Sequence, residues 1–391
     1  MLGRKRVNKA FNHEEPDRIP ISALTVNSPP ASEILEREAW TGIGARQAKR
    51  RFEALRKRGN AIEFYRRKAE DEVSLYKKMD LDAYFMGSMI PQKERTPEKI
   101  DEKTWRFEDE NTKEWRTIKL DFESGFCGEV DSNIKQNGIE AFEKHVERLE
   151  REEYNLSEYD LEPYDYVVKE IGEKIAIFGN ADVSIPSGSS WLPIFLKCMI
   201  KRPELVERYL DEQLQKTMTL LEEQLDRNIF GVWGGVDWAG ETGPFFSPEH
   251  FDRFVKPRLH KIVEKCHENN VPYVKHTDGN IKKILESLLI ETDTDGYNAI
   301  EPKAGMDIFQ LKKDYGNKLT LLGNVDCSET LVKGEKQEIE SEVKRLIEKV
   351  SPGGGHILMS SNSIHSNIPA EKWIKMIETA KEFGQYPVNT H

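Results

Sequence analysis

Short β-rich runs separated by stretches with helical spacing recur along this chain, and that alternation constrains the fold more than any other feature. The runs are Arg18 to Leu24, Asp82 to Gly87, Lys174 to Gly179, Ile229 to Gly234, Pro272 to His276, Asp295 to Ile300, Lys318 to Gly323 and Gly355 to Ser360. Strands linked through helices make a parallel sheet, and about eight is the number that closes a barrel. The expected fold is α/β, a single (β/α)8 TIM barrel over 1–391. Length alone also allows two domains, although a barrel with an insertion reaches 391 residues as one unit.

The helical stretches carry end signals. Ser247 before Pro248 reads as an N-cap followed by proline at the first helical position, opening a helix to about Asn269. Ile281, Ile284, Leu285, Leu288 and Leu289 fall on one helical stripe. Gly316 and Gly384 stand where helix C-caps are expected.

Between the second and third runs lie roughly eighty residues, more than one crossover helix needs. An insertion is expected there, at about 93–165. Trp105-Arg106-Phe107 and Trp115-Arg116-Thr117-Ile118 read as a hairpin, and Ala141 to Arg151 as a helix. Loops that follow barrel strands lie on the catalytic face, so the insertion is placed either as a lid or as a decoration.

A charged fraction of 32% against 37% hydrophobic describes a soluble globular chain. The net charge of -11 disfavours nucleic acid and anionic lipid as partners. The start, Met1-Leu2-Gly3-Arg4-Lys5-Arg6, lacks the apolar stretch of a secretory signal, and no segment reads as a membrane span. Cys127, Cys198, Cys266 and Cys327 are widely spaced, without a zinc or disulfide pattern. A cytoplasmic setting is expected.

Barrel enzymes place reactive groups at the carboxyl ends of their strands. The fourth run leads into Gly234-Gly235-Val236-Asp237-Trp238-Ala239-Gly240-Glu241, and the fifth ends at His276-Thr277-Asp278-Gly279. The sixth ends at Asn298 to Glu301, the seventh at Asn324 to Cys327, and the eighth at Ser360-Ser361-Asn362. Asp237, Glu241, His276 and Asp278 can bind a divalent metal or form a general acid/base pair. The competing assignments are an N-cap for Asp278 and loop-backbone acceptors for Asp237 and Glu241. Trp191, Trp233, Trp238, Phe245, Phe246 and Tyr297 are candidates for an aromatic wall. Trp233, Trp238, Tyr297, Asn324 and Asn362 are the expected substrate-binding residues. Cys327 reads as a small buried residue and His356 as structural. Val274 stands where the cobalamin-binding pattern D-x-H-x-x-G needs aspartate, and no nucleotide-binding glycine loop is present.

The opening Asn12-His13-Glu14-Glu15-Pro16-Asp17-Arg18-Ile19-Pro20, with Asp237 to Pro248, His276 to Asn280 and Gly353 to Asn362, resembles the uroporphyrinogen decarboxylase superfamily in that order. The likeness covers nearly the whole chain outside the insertion. The superfamily includes true decarboxylases and zinc-dependent methyltransferases that serve corrinoid proteins. Decarboxylases carry R-Q-A-G-R after the first strand, whereas Ala23 to Ala31 holds no arginine. Their F-S-D aspartate is matched by the neighbourhood of Gly87-Ser88-Met89 and their late histidine by about Asn362. The thiol-activating methyltransferases use H-x-C and a later cysteine for zinc. Here those places hold His276, Asp278 and about Asn362.

What the resemblance then implies is the branch that moves a methyl group from methoxylated, often aromatic, compounds to a corrinoid on a separate protein. Zinc held by Glu241, His276 and Asp278 or Asp237 would stabilise the leaving oxygen. Asp237, His276 and Asp278 are the expected catalytic residues, with the unused carboxyl as proton donor. Without a metal, His276 and Asp278 form the acid pair. Tetrapyrrole decarboxylation is the alternative.

Overall fold

The structure is a computed structural model, and it describes residues 1–87, 95–156 and 158–388. Ser88, Met89 and the first two positions of the expected insertion lie outside the described residues.

In chain order the strands are β1 (Ala83–Phe85), β2 (Glu98–Lys99), β3 (Thr104–Glu108), β4 (Trp115–Leu120), β5 (Cys127–Ser132), β6 (Ala176–Asn180) and β7 (Gly231–Gly234). There follow β8 (Ala239–Gly240), β9 (Gly243–Pro244), β10 (Tyr273–His276), β11 (Gly296–Asn298), β12 (Thr320–Leu322) and β13 (His356–Ile357). Seven of these, β1-β6-β7-β10-β11-β12-β13, form one curled parallel sheet in sequence order, and each is a run expected from the sequence. The remaining run, Arg18 to Leu24, bonds to both edges. The Ile21 carbonyl accepts from the Asp82 N–H at 2.9 Å, and the Ser22 N–H donates to the Leu358 carbonyl at 3.0 Å. The arrangement is TIM-barrel-like.

Side chains alternate across each strand, so the pleat sorts them into two layers. Phe85, Phe178, Val274, Leu322 and Ile357 share an inner cluster with Val7 and Ala10 of the first helix, Gly3–Phe11. Their neighbours Tyr84, Ile177, Tyr273, Tyr297 and Leu321 belong to the larger cluster that includes the surrounding helices. Burial on both faces explains why these strands read as continuous apolar runs.

The opening motif is anchored electrostatically. Arg18 Nη1 donates to Asp82 Oδ2 at 2.6 Å, Arg6 Nη1 to Asp82 Oδ1 at 3.0 Å, and the Ile21 N–H to Asp82 Oδ2 at 2.8 Å. Asp82 therefore ties the first run to β1 while its own charge is balanced.

Between β1 and β6, β2 to β5 form a four-stranded antiparallel sheet in which Trp105 pairs with Ile118 and Phe107 with Arg116. Trp105, Phe107 and Leu120 share a separate apolar cluster with Phe52 and Leu55 of helix Ala45–Arg58 and Phe64 and Tyr65 of helix Ile62–Met79. Helix Asn133–Leu149 follows, interrupted at Gly138, whose φ is 69°. Glu129 of β5 accepts from the Ser190 hydroxyl at 2.6 Å, joining this sheet to the loop after β6.

Helix details differ from the sequence expectation in two places. Ser247 does cap the turn Pro248–His250, but a π-helical turn, Phe251–Val255, precedes helix Lys256–Glu268. The stripe from Ile281 to Leu289 is buried as expected, yet its regular part is only the wide turn Glu286–Ile290. Packing set its burial without requiring a full helix. Among the described residues, no helix is long and apolar enough to cross a membrane.

Candidate active site

Strand register brings the central group together. β10 and β11 run parallel with His276 opposite Asn298, and both residues share the inner parity of Val274 and Gly296. Asn298 Nδ2 donates to the Leu322 carbonyl at 2.8 Å, which turns its Oδ1 toward His276 Nδ1 at 2.7 Å. A carboxamide oxygen only accepts, so Nδ1 carries a proton toward Asn298, and Nε2 is the ring atom that faces the carboxylates. That atom lies 3.4 Å from Asp278 Oδ1 and 3.9 Å from Asp237 Oδ1.

Asp237, His276 and Asp278 each offer a ligand atom within 4.8 Å of the others. Glu241 does not join them. It is exposed in the turn between β8 and β9, and the grouped ligand atoms come from Asp237, His276 and Asp278.

Both carboxylates are held in place. Asp237 Oδ1 accepts from the Asp278 N–H at 2.9 Å, and Asn362 Nδ2 donates to Asp278 Oδ1 at 2.8 Å. Asp278 is thus tied to the last strand's loop and does not serve as a helix cap. Burial pushes the Asp278 carboxyl up to about 6; the nearby Asp237 and Glu301 charges add to this, while His276 and the Asn362 bond oppose it. Gly279 has φ +83°, and a Cβ there would meet the Gly240 carbonyl oxygen at 2.6 Å, so only glycine lets the two loops approach so closely. Its N–H donates to Glu301 Oε2 at 2.8 Å.

The expected aromatic wall divides. Trp233, half-buried, packs edge-on to His276 with ring centroids 5.8 Å apart and donates its Nε1–H to the Met86 carbonyl at 2.9 Å. Trp238 and Tyr297 are fully buried in the outer layer and do not wall the site. Tyr297 is one residue from Asn298, so the pleat turns it to the opposite face. Trp238 packs on Phe246 and Phe251 instead. Asn324 is buried and donates to the Ile300 carbonyl at 2.7 Å, which gives it a backbone-bracing role. Cys327 is buried beside Ser361, and burial raises its thiol pKa. His356 is buried between the Ser351 hydroxyl and the Gly323 carbonyl.

Sequence reasoning missed a pair beneath the cluster. Lys275, fully buried, donates from Nζ to Asp182 Oδ2 at 2.5 Å and to the Val236 carbonyl at 2.9 Å. Asp182 Oδ2 also accepts from the Val236 N–H at 2.7 Å. The pair clamps the backbone next to Asp237. A lysine inside a predicted central strand was the available signal, since an unpaired buried ammonium is too costly to be tolerated.

Comparison with known proteins supplies the relationship. The chain is 24% identical over 249 residues to uroporphyrinogen decarboxylase from Geobacter metallireducens, spanning 58% of this chain and 66% of that protein. It is 28% identical over 199 residues to that from Mannheimia succiniciproducens, spanning 48% and 51%. The matches therefore take in less than two thirds of those relatives' own lengths. Among solved structures, a methyltransferase from Methanosarcina mazei superposes with a TM-score of 0.65 at 18% identity, covering 98% of this chain and 99% of that one, a likeness of fold. The model of the family described as uroporphyrinogen decarboxylase (URO-D) matches residues 142–383. Spanning more than half of the chain, and with the site's strands from β6 to β13 inside it, that match shows that this protein belongs to the uroporphyrinogen decarboxylase family.

Proposed function

We propose that this protein is a methyltransferase that moves a methyl group from a methoxylated aromatic small molecule to a corrinoid on a separate protein. The observation that carries the reading is the donor set Asp237, His276 and Asp278, which has carboxylates and no thiolate. Thiolates suit the activation of a thiol substrate, whereas oxygen donors leave a bound metal harder and better matched to an ether or phenolate oxygen.

The residues present fit a divalent metal. His276 Nε2 faces the two carboxylates, and Asn298 holds the ring in the tautomer a ligand needs. Zinc bound there would supply Lewis-acid stabilisation of the leaving oxygen. Asn362 and the Asp278 N–H to Asp237 bond keep both carboxylates converged. Asp278, with its carboxyl raised to about 6, is placed to hand a proton to a departing oxygen if it is left unligated. Trp233 offers an aromatic face beside His276 for a substrate ring. The inserted sheet, tied to the loop after β6, would act as the lid.

Tetrapyrrole decarboxylation is the second reading, favoured by the names of the curated relatives. The charge around the site opposes it. Asp237, Asp278 and Glu301 are acidic, Ala23 to Ala31 holds no arginine, and the buried Lys275 is already paired with Asp182. Among the described residues, none of those named at the site offers a substrate with several carboxylates a free cation. Incubation with reduced cobalamin and a panel of methoxyarenes should yield methylcobalamin by its absorbance. A blank panel together with carbon dioxide release from uroporphyrinogen would replace this reading with the second.

A further inference from the structure

Lys275 breaks the pattern of its own strand. Along β10, Val274 belongs to the inner cluster and Tyr273 to the outer one, so Lys275 shares the face of Tyr273 and lies in the layer of the larger apolar cluster. Its partner across the sheet is Gly234, where a Cβ would meet the Tyr273 hydroxyl at 1.9 Å and the Asp182 carboxylate at 2.8 Å. The bare position lets Asp182 reach the ammonium. Withdrawing two charges from water is costly, and packed apolar residues of similar size commonly serve stability as well. Stability alone therefore does not account for the pair.

What an apolar pair cannot do is bond to backbone. The three donors of the ammonium go to Asp182 Oδ2, the Val236 carbonyl and, at 3.3 Å, the Gly234 carbonyl. Asp182 Oδ1 accepts from the Val183 N–H at 2.8 Å, while Oδ2 takes the Val236 N–H. Both polar groups of the Val236 backbone are thus held, one residue before Asp237. One residue after it, the Trp238 N–H donates to the Thr277 hydroxyl at 2.9 Å, and the Lys275 ammonium lies over the Trp238 ring, 5.4 Å from its centroid. Asp237 sits on the segment between β7 and β8 with its side chain 40% exposed. Its place beside His276 is set largely through these neighbours.

We infer that Lys275 is a positioning residue: through Val236 it holds Asp237 in reach of a metal ion shared with His276 and Asp278. The inference rests on the reading of those three residues as a divalent-metal site. Site geometry is then set from the outer layer of the barrel, by a side chain that touches neither metal nor substrate.

Zinc affinity of the full chain, measured by competition with a chromophoric chelator, tests this in Lys275→Met, Asp237→Ala and the two combined. Lys275→Met should weaken zinc binding by about tenfold or more, as when supporting partners of metal ligands are lost. In the Asp237→Ala background the same change should act within about twofold, because the ligand that Lys275 places is gone. Lys275→Met leaves Asp182 charged and buried, so Lys275→Met with Asp182→Asn is measured beside it and should show the same loss. Far-UV circular dichroism establishes that each variant is folded. Zinc affinity equal to that of the unaltered chain in a folded variant would overturn the inference. So would an equal loss with and without Asp237, the mark of a general disturbance of the fold. An unaltered chain that binds no zinc would instead remove the metal reading, and this inference with it.

Discussion

His276 Nδ1 and Asn298 Oδ1 face each other at 2.7 Å from paired positions on adjacent parallel strands. Because Asn298 is itself fixed by the Leu322 carbonyl, the imidazole is held in one orientation with its Nδ1–H toward Asn298. Asn298→Ala frees the ring while leaving every proposed ligand in place. Divalent metal affinity, measured by competition with a chromophoric chelator, should fall by about 10- to 100-fold, as when such supporting partners are lost elsewhere. Unchanged affinity would show that Asn298 does not orient a ligand.

Asp278 stands where thiol-activating relatives are expected to carry cysteine. Asp278→Cys should shift selectivity toward soft metals, seen as a cadmium–thiolate absorption band and tighter cadmium binding than in the parent chain. Absence of the band in a folded, cadmium-loaded variant would mean that position 278 does not reach the metal.

Arg18 and Asp82 are both nearly inaccessible, and their bond at 2.6 Å links the first run to β1. Arg18→Met leaves Asp82 with Arg6 and the Ile21 N–H and should cost about 3 kcal/mol, near the low end for breaking a buried pair. Urea denaturation measures it. A loss within about 0.5 kcal/mol, as for an ordinary surface change, would show that Arg6 suffices.

His356 is held neutral. Its Nε2–H donates to the Gly323 carbonyl at 2.7 Å, and burial lowers its pKa from 6.5 to about 4. The unfolded chain therefore takes up this proton before the folded one does. Stability contributed by keeping the ring neutral is complete above about pH 6.5 and declines as pH falls to about 4. The decline from this group is about 3 kcal/mol. In His356→Gln that component of the pH slope should vanish from denaturation midpoints recorded across the window. An unaltered slope would assign it to other groups.

The periodicity of the sequence located the seven strands of the parallel sheet and their order, along with an eighth run that only bridges the edges, because apolar runs buried on both faces leave a signal in the residues themselves. It also placed His276, Asp278, Asp237 and Asn362 at strand ends, where a barrel gathers its polar groups. Tertiary structure alone decided which of these meet. Asp237 joins His276 and Asp278 while Glu241 stays exposed outside the group, through a loop contact between residues 41 positions apart. Pleat parity removed Tyr297 from the expected wall and placed Asn298 beside His276, a one-residue difference that composition does not reveal. The Lys275–Asp182 clamp joins groups 93 residues apart, and such a pairing exists only once the strands are side by side.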